Sequence, residues 1–261
     1  MQKKSTTNNH KPKIIPHFIE KVNSSRFKSF LIPLFLICWT IIILFFTQLA
    51  LSFIFVIFFD DYTTSASLAT LYNALCYAIS LFLLIFVPWK LFRTSKPNRE
   101  NLGLKNLPTF IDLGLAPIGF IAYYLLSSLL ITIFSLFPWF NVAEAQDVGF
   151  NFLATTPDYI IAFISLVIIA PVAEEIIFRG WLYDRLRTKL PPKISLFLAI
   201  ILVSAVFGLM HGQWNVGINT FAMSIVLCLI REITGTIYSG IILHSIKNAL
   251  AFYLVFILGI S

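Results

Sequence analysis

Two adjacent glutamates, Glu174 and Glu175, with Arg179 four residues on, follow an apolar run, DYIIAFISLVIIA, long enough to enter a membrane. Ionisable groups at membrane depth are costly and as a default mark function. Glu175 and Arg179 share a helix face, with the glutamate in the favourable N-terminal order. In a low-dielectric setting that pairing keeps Glu175 ionised and hydrogen-bonded. Glu174 points about 100° away around the helix and lacks that cation. A carboxylate buried without a close cation suits a general base or acid near neutral pH.

Two histidines fall at positions of other apolar runs. Phe207 precedes His211 by one helical turn, and Asn248 follows His244 by one turn. Residues four apart share a helix face, so His244 and Asn248 can aim at one point, while Phe207 packs the ring of His211. His10 and His17 lie in a basic N-terminal stretch and read as solvated surface. Plainer readings exist for each feature: an interfacial charge cluster for the glutamates and arginine, a hydrogen-bonded core residue for either histidine. The combination across three apolar runs is harder to dismiss. Lys247 either snorkels to the interface or pairs with a carboxylate. Asp112 and the Asp184–Arg185 region read as interfacial.

The elements that must position these residues are helices in a membrane. Of 261 residues, 58% are apolar and 12% charged, with mean hydropathy +0.87; soluble domains carry about twice that charge. Composition predicts an all-α, polytopic transmembrane helix bundle of about seven spans, at 31–58, 66–89, 110–137, 158–180, 194–211, 216–231 and 236–259. Strands are rejected because open sheet edges cannot satisfy their backbone groups in lipid. Trp89, Trp139, Trp181 and Trp214 fall at expected span ends, as an aromatic belt would. The organisation reads as a basic cytoplasmic tail over 1–29, N-terminal transmembrane helices over 30–150 and a catalytic helical core over 151–261. Phe30 to Phe59 is too long for the apolar region of a cleaved signal peptide.

The net charge of +7 is not distributed as nucleic-acid binding requires. Lys and Arg crowd the N-terminal stretch, the region from Lys90 to Lys105 and that from Arg185 to Lys193, whereas the alternate loops carry Asp60, Asp61, Glu144, Asp147 and Asp158 and no Lys or Arg. This positive-inside pattern predicts a multi-pass protein of the cell membrane with a cytoplasmic N-terminus. The basic tail also suits anionic lipid. Cys38, Cys76 and Cys228 lie inside apolar runs, as buried free thiols. Pro191 and Pro192 end a helix and form the turn of a helical hairpin. Glu174 and His211 then stand roughly 25 Å from that turn on either arm, at one level.

The three motifs in order, EEIIFR (Glu174–Arg179), FGLMH (Phe207–His211) and HSIKN (His244–Asn248), resemble those of the CAAX protease and bacteriocin-processing family of intramembrane proteases. The resemblance covers roughly residues 155–258 and extends to FRGWLYDRL and TGTIYSGIILH. It implies that Glu174 activates a hydrolytic water with help from His211. It further implies that His244 and Asn248 stabilise the oxyanion, and that Glu175 and Arg179 support the site. The substrate implied is a hydrophobic or lipid-modified peptide of CAAX or bacteriocin type. A metal-free mechanism is favoured, because H-E-x-x-H is absent and the ligands would come from three helices. Zinc on Glu174, His211 and His244, with the other glutamate as base, is the alternative. Two other classes stand beside the protease. One is a proton-coupled transporter, against which the lack of an internal repeat counts. The other is a non-catalytic membrane partner in immunity or regulation.

Overall fold

The computed structural model describes residues 25–59, 63–91, 97–144, 150 and 152–259. Among them the chain forms helices and no strands, as lipid demands of backbone that has no water to bond. In chain order the helices are α1 (Ser25–Phe58), α2 (Ala66–Leu91), α3 (Phe110–Phe134), α4 (Thr156–Lys189), α5 (Ser195–Leu209), α6 (Trp214–Thr234) and α7 (Tyr238–Ile257). All but α5 are long and apolar enough to cross a membrane. At 1.5 Å per residue the 15 residues of α5 reach only about 22 Å, against a hydrocarbon core of about 30 Å.

Several expected boundaries move. Helix α1 begins at Ser25, inside the segment read as a tail, and residues 1–24 of that tail lie outside the described residues. Helix α4 runs on to Lys189 rather than stopping near 180, because the chain stays helical until Leu190 turns extended (ψ 156°) ahead of Pro191. Proline permits that and little else in the residue before it. Trp181 therefore lies inside α4 rather than at its end, 3% exposed in the core. His211 lies beyond the end of α5, in a turn that Gly212 completes at φ +74°.

The main core gathers where α4 to α7 meet, with Ile177, Leu182, Val203, Phe207, Met223 and Leu243 all buried. The outer faces of α1 and α3 instead expose Phe45, Phe53, Phe58, Phe110 and Leu125. Such surface is tolerable only where lipid covers it. Helices α5 and α6 approach closely at paired glycines. A Cβ on Gly208 would come within 2.6 Å of the Gly217 carbonyl oxygen, the small-residue packing that membrane helices use in place of a hydrophobic drive.

Helix α4 is not uniform. A capping pair starts it, with the Thr155 amide and hydroxyl donating to Asp158 at 2.9 and 2.7 Å. Two π-helical stretches, Ile164–Ile169 and Ile176–Tyr183, then flank the α-helical Ala170–Glu175. π-Bulges are rare and concentrate at functional sites. Here they bracket the two glutamates.

Contacts among the loops sort the two ends of the bundle. At one end Arg231, near the end of α6, donates to the Asn101 and Gly235 carbonyls. At that same end the Ile237 amide donates to Gly103, and Arg187 pairs with Glu232 at 3.0 Å. At the other end Asn215 and Gln213, beside the α5–α6 turn, donate to Glu144 at 2.6 and 3.3 Å. Short as it is, α5 joins the two ends.

Candidate active site

Glu175 and Arg179 form a fully buried ion pair, Nη1 donating to Oε1 at 3.0 Å with both side chains 0% exposed. The Arg179 guanidinium carbon sits 4.5 Å from the centroid of the Phe207 ring, so a π face supports the cation. Among the described residues Nε and Nη2 find no oxygen or nitrogen partner, and the Cys228 thiol lies beside the guanidinium. Helix α7 comes close over the glutamate because residue 240 is glycine. A Cβ there would stand 3.0 Å from Glu175 Oε2.

His244 lies between the two glutamates. Its Nδ1 donates to Glu175 Oε1 at 3.2 Å, and its Nε2 stands 3.8 Å from Glu174 Oε2. The imidazole is 3% exposed, and the Glu175 contact fixes which ring nitrogen carries the proton. Glu174, 18% exposed, accepts a hydrogen bond from Tyr77 Oη at 2.6 Å on Oε1. The two adjacent carboxylates thus differ in setting: Glu175 is locked to a guanidinium, whereas Glu174 opens to space.

That space is two cavities of about 220 Å³ each, with Tyr77, Glu174 and His211 in both walls. One continues along α7 past His244, Lys247, Asn248 and Phe252. The other continues toward α1, past Leu44 and Gln48. The His211 Nδ1 contacts the Phe207 carbonyl oxygen at 2.8 Å. A carbonyl only accepts, so Nδ1 carries the proton and Nε2 keeps its lone pair. Phe207 is the shared support. Its ring lies 5.0 Å from that of His211, 6.0 Å from that of His244 and 4.9 Å from that of Phe178.

Asn248 is occupied in a way its motif does not suggest. Its amide donates to the Leu166 carbonyl at 2.9 Å. Within the first π stretch the Ala170 amide bonds back to Ser165, so Leu166 would next receive from residue 171, which is proline and has no N–H. The Asn248 side chain fills that vacancy in the ladder, leaving one amide hydrogen for other use. Lys247 makes no hydrogen bond or ion pair among the described residues, although it lines the α7 cavity and feels the charge of Glu174.

Glu174, His211 and His244 do not close into a metal cage. Among the described residues no group of three His, Cys, Asp or Glu side chains could hold a metal ion. Glu174 Oε1 is taken by Tyr77, and His244 is turned onto Glu175. Zinc would have to take Glu174 Oε2 and the Nε2 atoms of His211 and His244.

Tyr77 is the site residue that motif reading passes over. Its signal is a polar stripe in α2, since Thr70, Asn73 and Tyr77 lie three and four residues apart on one face. All three reach α4, at Ile161, Ser165 and Glu174. Asp112 is buried and structural. It accepts from Ser239 at 2.7 Å and from the Thr109 amide and hydroxyl at 2.8 Å, tying α3 to α7.

Residues 156–250 match the family model for type II CAAX prenyl endopeptidase Rce1-like proteins. That span holds all three motifs, from Glu174 to Asn248, and leaves α1 to α3 outside. No curated protein and no solved structure matches the chain.

Proposed function

We propose that this multi-pass membrane protein is an intramembrane endopeptidase that cuts hydrophobic or lipid-modified peptides, of CAAX or bacteriocin type, with a glutamate-activated water. The observation that carries the reading is one carboxylate, Glu174, standing with the lone-pair nitrogen of His211 in the wall of a cavity inside an Rce1-like domain. In the reaction Glu174 Oε2 takes a proton from water while the oxygen attacks the peptide carbonyl. His211 Nε2 orients that water. The carbon–nitrogen bond then breaks, and the proton passes from Glu174 to the departing amine. The negative oxygen of the intermediate meets the second N–H of Asn248, the ammonium of Lys247 and, once His244 carries a second proton, its Nε2–H. Preorganised donors of this kind commonly supply the largest single contribution to such reactions. Glu175 and Arg179 hold the frame, and no step needs a metal.

Purified protein in detergent, given a farnesylated reporter peptide, tests the reading. Cleavage is expected from the wild type, lost in Glu174→Ala and His211→Ala, and kept with a chelator. Equal cleavage by all three proteins sinks the assignment. Loss with chelator, restored by zinc, overturns the metal-free mechanism but keeps the reaction class. A proton-coupled transporter is the second reading, favoured by the position of Glu174 between two cavities. It predicts proton uptake without cleavage.

A further inference from the structure

Tyr77 stands outside the family match, on α2, and its hydroxyl is the only hydrogen-bond partner of Glu174 among the described side chains. An O–H donor to an ionised carboxylate gives the shortest class of hydrogen bond, about 2.5–2.7 Å, and the 2.6 Å contact falls in that class. The ring packs against the main core, and the α2 stripe is tied to α4 at Ile161 and Ser165. The hydroxyl is therefore held by rigid elements rather than by a mobile loop. We infer that Tyr77 is a positioning residue for Glu174. By occupying Oε1 it fixes the carboxylate plane and leaves Oε2 as the oxygen that meets water and His244.

The consequence is that the Rce1-like segment does not complete its own site. Helix α2 supplies the group that selects which carboxylate oxygen reacts, across 97 residues of sequence. The inference rests on Glu174 being the base.

The test is a double-mutant cycle with the farnesylated reporter: wild type, Tyr77→Phe, Glu174→Asp and the double variant, with Glu174→Ala as the blank. Phenylalanine keeps the ring and removes only the hydroxyl. Aspartate shortens the side chain by one methylene and draws the carboxylate away from Tyr77. Tyr77→Phe is expected to lower kcat by about tenfold to a hundredfold, with KM within about twofold of wild type and an unchanged unfolding midpoint. In the Glu174→Asp background the same change is expected to alter kcat by less than about twofold, because the bond it removes is already lost. An unchanged kcat in Tyr77→Phe overturns the proposal, as does a rise in KM alone or an equal fall in both backgrounds. Full activity in Glu174→Ala would instead overturn Glu174 as the base, and no cleavage by the wild type would overturn the protease reading beneath it. The two failures are thereby distinguishable.

Discussion

Arg179 shows what a buried charge demands at the scale of one residue. With both partners at 0% exposure, the ion pair gives little net stability, since desolvation of two charges offsets their attraction. Removing one partner is another matter. Arg179→Leu strands the Glu175 carboxylate in the core, and a loss of about 3–5 kcal/mol is expected, read as an earlier midpoint in heat or detergent-titrated unfolding. Arg179→Leu combined with Glu175→Gln should recover a large part of that loss. A combined variant no more stable than Arg179→Leu would show that packing on Phe207, rather than charge, is what Arg179 supplies. The Glu175–Arg179 contact is legible in sequence because it is local, one helical turn along one helix. The Tyr77–Glu174 contact has no such period to betray it. It depends on which face α2 turns toward α4, which only the packed bundle decides.

At the scale of elements, the first π stretch of α4 and the position of Asn248 are one feature. Asn248 reads from its motif as a polar group aimed at a reaction, yet one of its hydrogens is committed to the Leu166 carbonyl. The motif spacing on α7 was visible in sequence. The unfilled carbonyl it serves was not, because it arises from a π register meeting Pro171. Helix ends follow the same division. The stop at Leu190 was written in Pro191 and Pro192, whereas α5 ends at Leu209, ahead of the turn that Gly212 completes at φ +74°. Asn248→Ala should cost about 1–3 kcal/mol by orphaning a buried acceptor. In a Pro171→Ala background the backbone regains a donor, so the same substitution should cost markedly less. Unfolding midpoints of the four proteins check this. Equal costs in the two backgrounds would mean that the carbonyl is satisfied some other way, and that Asn248 is there for chemistry alone.

At the scale of the whole molecule, the ends of the helices bear on where the site lies in depth. Asn101, Gly103, Arg187, Arg231 and Ile237 gather at one end, and Glu144 with the α5–α6 turn at the other. The first end carries the basic loops, the second the acidic one, and positive charge resists translocation. The basic end should therefore face the cytoplasm. Glu174 stands nine residues from Tyr183, which donates to Glu232 at that end. Along a helix that distance is roughly 10–14 Å, so the cut bond would lie about a third of the way into the membrane from the cytoplasmic side. Impermeant maleimide on intact cells tests the orientation, in a background with Cys38, Cys76 and Cys228 replaced by serine. Glu144→Cys should label from outside, and Lys105→Cys only after the membrane is opened. The reverse pattern would place Glu174 nearer the outer leaflet, and a substrate whose anchor lies in the inner leaflet could no longer present its bond to it.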